Sequence, residues 1–416
     1  MADLTKKRWL ILGLCCLINL CIGSVYAWSV FATPLAELIS GITGRALTGG
    51  DLAIVYTVAN GVGPITMISG GFFNDRFGPK KVIFLGGLMF GAGMILSGFA
   101  RSIPMLIVTY GLLCGLGLGM TYGCTISTGV KFFPDKRGLI GGVATAAYGL
   151  SSVILPPIAN ALVQGIGVSR TFVVIGIVFL LVICVSSLFL FPCPDGFIPE
   201  GWTPPAQMAS STVRDRNWKE MLSSPVFYVM LTCMLCGALS GMMIISQASP
   251  VAQNMVGMAP ASAAIAVSVL ALFNALGRIA AGGLSDRIGR INTLTVALVL
   301  SLIGLLSLYF SGQGTYLSFY VGIAIVGICF GAFMGVYPGF TADRFGARNN
   351  SVNYGIMFIG FALAGYVGPT IMKNAYARFG VYQNAFLYAL MFAVGGLILS
   401  FVYRVLVRHA DAKERI

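Results

Sequence analysis

Apolar residues run along the chain in stretches of about twenty, long enough to cross a roughly 30 Å hydrocarbon core. Short polar segments separate them and carry most of the charge. The stretches fall near 9–31, 52–73, 82–100, 104–128, 139–164, 170–191, 225–249, 261–284, 292–311, 316–340, 350–372 and 383–404. Each predicts an α-helix, because an open sheet cannot satisfy its backbone polar groups in lipid. The first stretch follows Lys6, Lys7 and Arg8. It is too long for the apolar core of a secretory signal and lacks a small-residue cleavage site, so it reads as a retained span. The pattern predicts an all-α membrane protein with twelve transmembrane helices.

Composition removes the soluble alternative. A length of 416 residues would ordinarily mean two or three soluble domains, but only 9% of the residues are charged and 57% are hydrophobic. A soluble protein carries about 25% charged residues. The net charge of +13 would suggest nucleic acid on a soluble protein. Here the basic residues lie in short clusters between apolar runs, so the expected partner is a lipid bilayer and not nucleic acid. With the N-terminus inside, twenty basic residues fall on the inner side and five on the outer, which satisfies the positive-inside rule. This predicts a multi-pass protein of the plasma (inner) membrane with both termini cytoplasmic. Glu37 and Asp51 fall outside, the other eleven acids inside, and none within a predicted span.

The ten cysteines lie within spans or at their edges and form no secreted disulfide framework; Cys233 and Cys236 read as small packing residues. There is no Ser-His-Asp set, metal-ligand cluster or P-loop, and the sole histidine is His409 in the tail. No enzyme, metal or cofactor is expected.

Six spans lie on each side of a polar stretch, which divides the chain into an N-terminal bundle at 1–191, a cytoplasmic linker at 192–224 and a C-terminal bundle at 225–416. The linker opens on Pro192-Cys193-Pro194 and ends in a charged, helix-compatible segment from Arg214 to Glu220. Gly71, Asp75, Arg76 and Gly78 recur as Gly282, Asp286, Arg287 and Gly289, each 211 positions on, and Arg137 and Arg348 share that offset. A fixed offset on equivalent loops marks an internal duplication. Repeated halves with a site at their interface are the architecture of secondary transporters.

The loop Gly71-Phe72-Phe73-Asn74-Asp75-Arg76-Phe77-Gly78-Pro79-Lys80-Lys81 resembles the signature loop of the major facilitator superfamily. Gly282-Gly283-Leu284-Ser285-Asp286-Arg287-Ile288-Gly289-Arg290 resembles its second copy. Their glycines allow tight turning, and Asp75 and Asp286 can cap a helix end and pair with nearby arginines. Asp75, Arg76, Asp286 and Arg287 are therefore expected in gating loops. The segments Gly23-Ser24-Val25-Tyr26-Ala27-Trp28-Ser29-Val30-Phe31, Lys131-Phe132-Phe133-Pro134-Asp135-Lys136-Arg137-Gly138 and Asn353-Tyr354-Gly355 resemble the oxalate–formate antiporter family, a relative of the monocarboxylate transporters. The resemblance covers essentially the whole chain. It implies two pseudo-symmetric six-helix bundles, the major facilitator fold.

One basic residue escapes the topological count. Arg278 lies in span 8, seven residues before Ser285 and hence about 10 Å inside the cytoplasmic boundary at 1.5 Å per residue. A guanidinium there costs about 3 kcal/mol or more. No carboxylate lies in a predicted span to offset it, so an anionic ligand is expected, and the planar fork suits a carboxylate. The competing reading is an arginine that snorkels inward or bonds backbone carbonyls. The resemblance also implies an anion-binding arginine in this helix. Asn274, one turn earlier, can hydrogen-bond a second substrate oxygen or serve only as an interhelical contact. The monocarboxylate transporters typically carry an aspartate there, so the departure leaves the proton carrier open.

Tyr26, Trp28, Tyr122 and Tyr148 from the first half, with Phe330, Met334, Phe358 and Phe361 from the second, are candidates to complete the substrate cage, ordinary packing being the alternative for each. Resemblance to oxalate-specialised members implies a second cation in helix 11; counted from Asn353-Tyr354-Gly355, that place is Phe361. One cation beside an apolar residue suits a monoanion such as lactate or pyruvate, since a dianion would keep one charge unpaired in low dielectric. The expected function is proton-linked monocarboxylate transport by alternating access, by a monomer with no cofactor. Oxalate–formate type anion exchange is the alternative, and a transport-inactive sensor a more distant one.

Overall fold

The computed structural model describes residues 2–203 and 215–413. The part of the expected linker at 204–214, with Arg214, and the tail at 414–416 lie outside the described residues.

Among the described residues, twelve helices are long and apolar enough to cross a membrane. They are Leu4–Thr43, Ala53–Phe77, Pro79–Ser97, Ile103–Phe132, Arg137–Ile166 and Val168–Leu188, then Pro225–Asn254, Ser262–Ile288, Arg290–Tyr309, Tyr316–Phe345, Asn350–Phe379 and Gln383–His409. These are spans 1 to 12. Side chains such as Phe310, Leu317 and Met391 stay 69–78% exposed, as a lipid-facing surface requires.

Most helices outrun the apolar stretches that predict them, because hydropathy registers the lipid-crossing part and a helix continues past it. The signature segments are therefore mostly helix and not loop. Span 2 runs through Asp75 and Arg76 to Phe77, and only Gly78, at φ 83°, turns the chain before Pro79 opens span 3. Span 8 likewise reaches Ile288, and Gly289, at φ 90°, leads into span 9. That left-handed backbone is open to glycine at no steric cost. The same lengthening corrects the expectation that no acid lies within a span: Glu37, Asp75, Asp286 and Asp343 each sit toward the end of an observed helix.

Three spans are irregular. Span 1 is interrupted by a 3₁₀ segment, Gly23–Ala27. Span 4 contains a π-helical stretch, Ile107–Cys114. Span 11 consists of Asn350–Met357 and Ile359–Phe379, broken at Phe358. Such irregularities mark hinges and sites where a side chain must leave the regular helical register.

The chain forms two compact units. The first comprises the described residues of Met1–Asp135, Ala147–Val213 and Ala347–Ile356; the second comprises those of Lys136–Ala146, Arg214–Gly346 and Met357–Ile416. They depart from the sequence halves at two places, and at each the start of a helix is capped by an aspartate of the unit it joins. In the second unit, both carboxylate oxygens of Asp286 accept from the start of span 5, from the Gly138 amide at 2.9 Å and the Leu139 amide at 2.8 Å. In the first unit, Asp75 accepts from the start of span 11, from the Ser351 amide at 3.3 Å and the Val352 amide at 3.1 Å. A carboxylate at a helix N-terminus satisfies orphan amides and complements the helix dipole. The first turns of spans 5 and 11 thus pack with the unit that caps them.

The expected charged segment at the end of the linker holds a short helix, Trp218–Leu222, closed by a capping box between Asn217 and Glu220. The preceding Arg216 amide donates to the carbonyl of Phe345 at 2.9 Å.

Candidate functional site

Arg278 is the deepest cation described: it is 2% exposed. Its Nε donates to Oδ1 of Asn274 at 3.1 Å, and its Nη1 to the backbone carbonyl of Thr145 in span 5 at 2.6 Å. Both partners are neutral. Among the described residues, no carboxylate comes within ion-pairing distance of Arg278. The carbonyl contact is the kind the competing sequence reading anticipated, and it occurs together with an uncompensated charge.

Glycines bring the backbones close enough for these bonds. Gly327, Gly331, Gly335 and Gly339 form one ridge of span 10 at intervals of four, the small-residue spacing that lets membrane helices touch. A Cβ on Gly331 would overlap the Asn274 carbonyl and come within 2.9 Å of the Arg278 amide nitrogen; one on Gly335 would come within 2.9 Å of the Arg278 Cα. From the other side, a Cβ on Gly142 of span 5 would overlap the Arg278 carbonyl. Span 8 is therefore gripped at Arg278 between spans 5 and 10.

The first unit repeats the packing without the charge. Gly115, Gly119 and Gly123 of span 4 lie against Ala59, Gly63 and Met67 of span 2. At the 211-residue offset, Gly63 stands for Asn274 and Met67 for Arg278, and Met67 is 2% exposed.

The expected aromatic residues form two groups, one in each unit. In the first, Tyr148 stacks edge-on with Tyr26 at 5.2 Å and at a tilt with Tyr122 at 4.7 Å between ring centroids. The 3₁₀ break in span 1 carries Tyr26, and a Cβ on Gly23 within it would overlap the Tyr148 carbonyl. Trp28 turns instead to Tyr110, at 4.6 Å. In the second unit, Phe361 contacts Phe358 at 4.5 Å and Phe330 at 6.1 Å. Phe330 covers Gly241 of span 7, and Met334 is buried.

Of the four expected gating residues, the two aspartates enter ion pairs among the described residues and the two arginines do not. Asp75 pairs with Lys131, whose Nζ lies 2.6 Å away and also donates to the Arg348 carbonyl at 2.9 Å. Asp286 pairs with Arg290 at 2.6 Å, and Arg290 reaches Asp343 at 2.8 Å, which in turn pairs with Arg137 at 2.7 Å. Arg76 and Arg287 are exposed and enter no ion pair among the described residues. Sequence reasoning missed Lys131 and Asp343 as partners, left open which nearby arginine Asp286 pairs with, and missed Thr145 altogether; the glycine ridge of span 10 was readable from its spacing. Among the described residues, no cluster of His, Cys, Asp or Glu can hold a metal ion.

The chain matches the family model described as Major Facilitator Superfamily over residues 14–369 and 256–415. It is 31% identical over 360 residues to YhjX of Escherichia coli, an uncharacterised transporter of that type, covering 86% of each protein. It is 29% identical to the oxalate:formate antiporter of Oxalobacter formigenes, over 92% of this chain and 88% of that one. Human monocarboxylate transporter 12 is 24% identical, over 91% of this chain and 77% of its own length. Among solved structures, the fold resembles the E. coli fucose:proton symporter FucP, with a TM-score of 0.69 at 14% identity over 95% of this chain and 99% of that one. The proton:xylose symporter XylE gives 0.70 at 12% identity over 95% of each.

Proposed function

The chain belongs to the major facilitator superfamily, and from that membership we propose that it carries a small monocarboxylate of the lactate or pyruvate type together with a proton, by alternating access. One observation carries this reading: Arg278 is buried and, among the described residues, bonded only to neutral oxygens. A substrate carboxylate neutralises it, lowering the cost of closing the site around a bare cation, and an empty site resists that closure. Asn274 keeps its amide N–H groups for a second substrate oxygen. Phe330, Met334, Phe358 and Phe361 in the second unit, and Tyr26, Tyr122 and Tyr148 in the first, are proposed as substrate-binding side chains, since apolar rings with a few hydroxyls suit a small organic anion. The caps held by Asp75 and Asp286 would have to release for the helices to rearrange, which makes these aspartates and their neighbours Arg76 and Arg287 the proposed gate. The protein is taken to act as a monomer in the plasma membrane, with both termini cytoplasmic.

Among the described residues no acid or histidine bonds Arg278 or Asn274, which leaves the substrate carboxyl, a water chain or a transient group at the cavity mouth to carry the proton. The same fact, with the likeness to the oxalate:formate antiporter, favours anion exchange as the second reading. Reconstituted vesicles separate the two. Labelled lactate or pyruvate should enter faster under an inward proton gradient. Uptake that ignores the gradient and requires an internal counter-anion would replace symport with exchange.

A further inference from the structure

The guanidinium of Arg278 is held in place by groups on two different spans. With Nε–H committed to Asn274 and one Nη1–H to Thr145, the guanidinium keeps its other Nη1–H and its Nη2–H groups for a carboxylate, and not its Nε–H. The Thr145 hydroxyl is turned back to the carbonyls of Gly141 and Gly142, at 2.8 and 3.1 Å, so the group that meets Arg278 is backbone. A backbone carbonyl goes where its helix goes. The path of span 5 is set at its origin by Asp286, which grips the amides of Gly138 and Leu139 about two turns before Thr145. Asp286 is itself held by Arg290.

We propose that Asp286 is a positioning residue for the anion site, acting through the first two turns of span 5 and the Thr145 carbonyl to aim Arg278. This rests on the reading of Arg278 as the substrate's partner. The duplication supplies an internal control. Asp75, 211 positions earlier, caps span 11 in the same manner. On its side, however, the place of Arg278 is taken by Met67, buried and uncharged. Equal caps serve unequal ends, and only the cap beneath Arg278 bears on substrate affinity.

The test compares Asp286→Asn, Asp75→Asn and Arg278→Gln in the full-length protein in vesicles. Uptake is measured with whichever of labelled lactate, pyruvate, formate or oxalate saturates the unsubstituted protein. Asp286→Asn should raise KM about tenfold, and Asp75→Asn should lower kcat while KM stays within about twofold, a factor of ten being about 1.4 kcal/mol. Equal KM shifts in both variants, or an unchanged KM in Asp286→Asn, overturn the proposal. Gly142→Ala provides a second route, because it keeps Asp286 but pushes span 5 off the Arg278 carbonyl. It too should raise KM, and an unchanged KM counts against the proposal even if Asp286→Asn does not fold. If Arg278→Gln keeps the original KM, the assignment of the anion site itself falls, and the positioning role with it. If Arg278→Gln loses saturation while Asp286→Asn keeps its KM, only the positioning role falls.

Discussion

Asn274 Oδ1 accepts from Arg278 Nε at 3.1 Å, one helical turn away, so an amide and not a carboxylate faces the buried cation. The charge of Arg278 is oriented by this contact without being neutralised.

Asn274→Asp changes that balance in a pH-dependent way. An ionised aspartate at this distance pairs with Arg278 and competes with the substrate, raising KM about tenfold, or 1.4 kcal/mol. Protonation of that carboxyl removes its charge and releases Arg278. Uptake by the variant should therefore climb more steeply toward acid pH than uptake by the unsubstituted protein. Matching pH profiles for the two would count against an available positive charge at Arg278.

Arg278→Lys keeps the charge but loses the fork. An ammonium cannot bond Asn274 and Thr145 together and still present two parallel donors to a carboxylate. Losing one charge-assisted hydrogen bond costs about 2 kcal/mol, so kcat/KM should fall about thirtyfold with the protein still monodisperse on size exclusion. Full activity in the lysine variant would mean that a point charge suffices.

Gly331→Ala should destabilise the second unit by about 1–3 kcal/mol, because the added methyl meets backbone at Asn274 and Arg278 that cannot move aside. Gly283→Ala is the contrast. Its methyl would meet only the tip of Leu139, at 3.5 Å, and its midpoint should shift little. Thermal unfolding in detergent measures both, and equal shifts would refute the close-packed ridge.

Phe361→Lys places a second cation on span 11, where Phe361 now packs on Phe358 and Phe330. Lactate or pyruvate uptake should weaken, and oxalate should begin to compete, since a dianion neutralises two cations where a monoanion leaves one unpaired. Competition assays read this directly. Oxalate that competes equally in both proteins would remove Phe361 from the selectivity determinants.

Much of this organisation was readable along the chain. The twelve spans follow from apolar length, the duplication from a constant offset between Asp75 and Asp286, and the singular place of Arg278 from the lack of any other charge deep in a span. Helix ends were less readable. Hydropathy drops where charged residues begin, whereas span 2 continues through Asp75 and Arg76 until Gly78 can turn the chain. The partners of the aspartates were hidden for a related reason. Arg76 and Arg287 are neighbours in sequence, but a helix sends adjacent side chains to different faces, and Lys131 and Arg290 occupy the faces that meet the acids.

The sequence by itself determined that the protein lives in lipid, that it is built twice, and that one cation is buried without a matching acid, because burial cost and repeat spacing are properties of residue type and order. The tertiary structure decided what that cation touches. Thr145 contributes only a backbone carbonyl, an atom every residue possesses, so no residue type could announce it. It becomes a partner of Arg278 because Gly142 admits span 8 and Asp286 fixes the start of span 5.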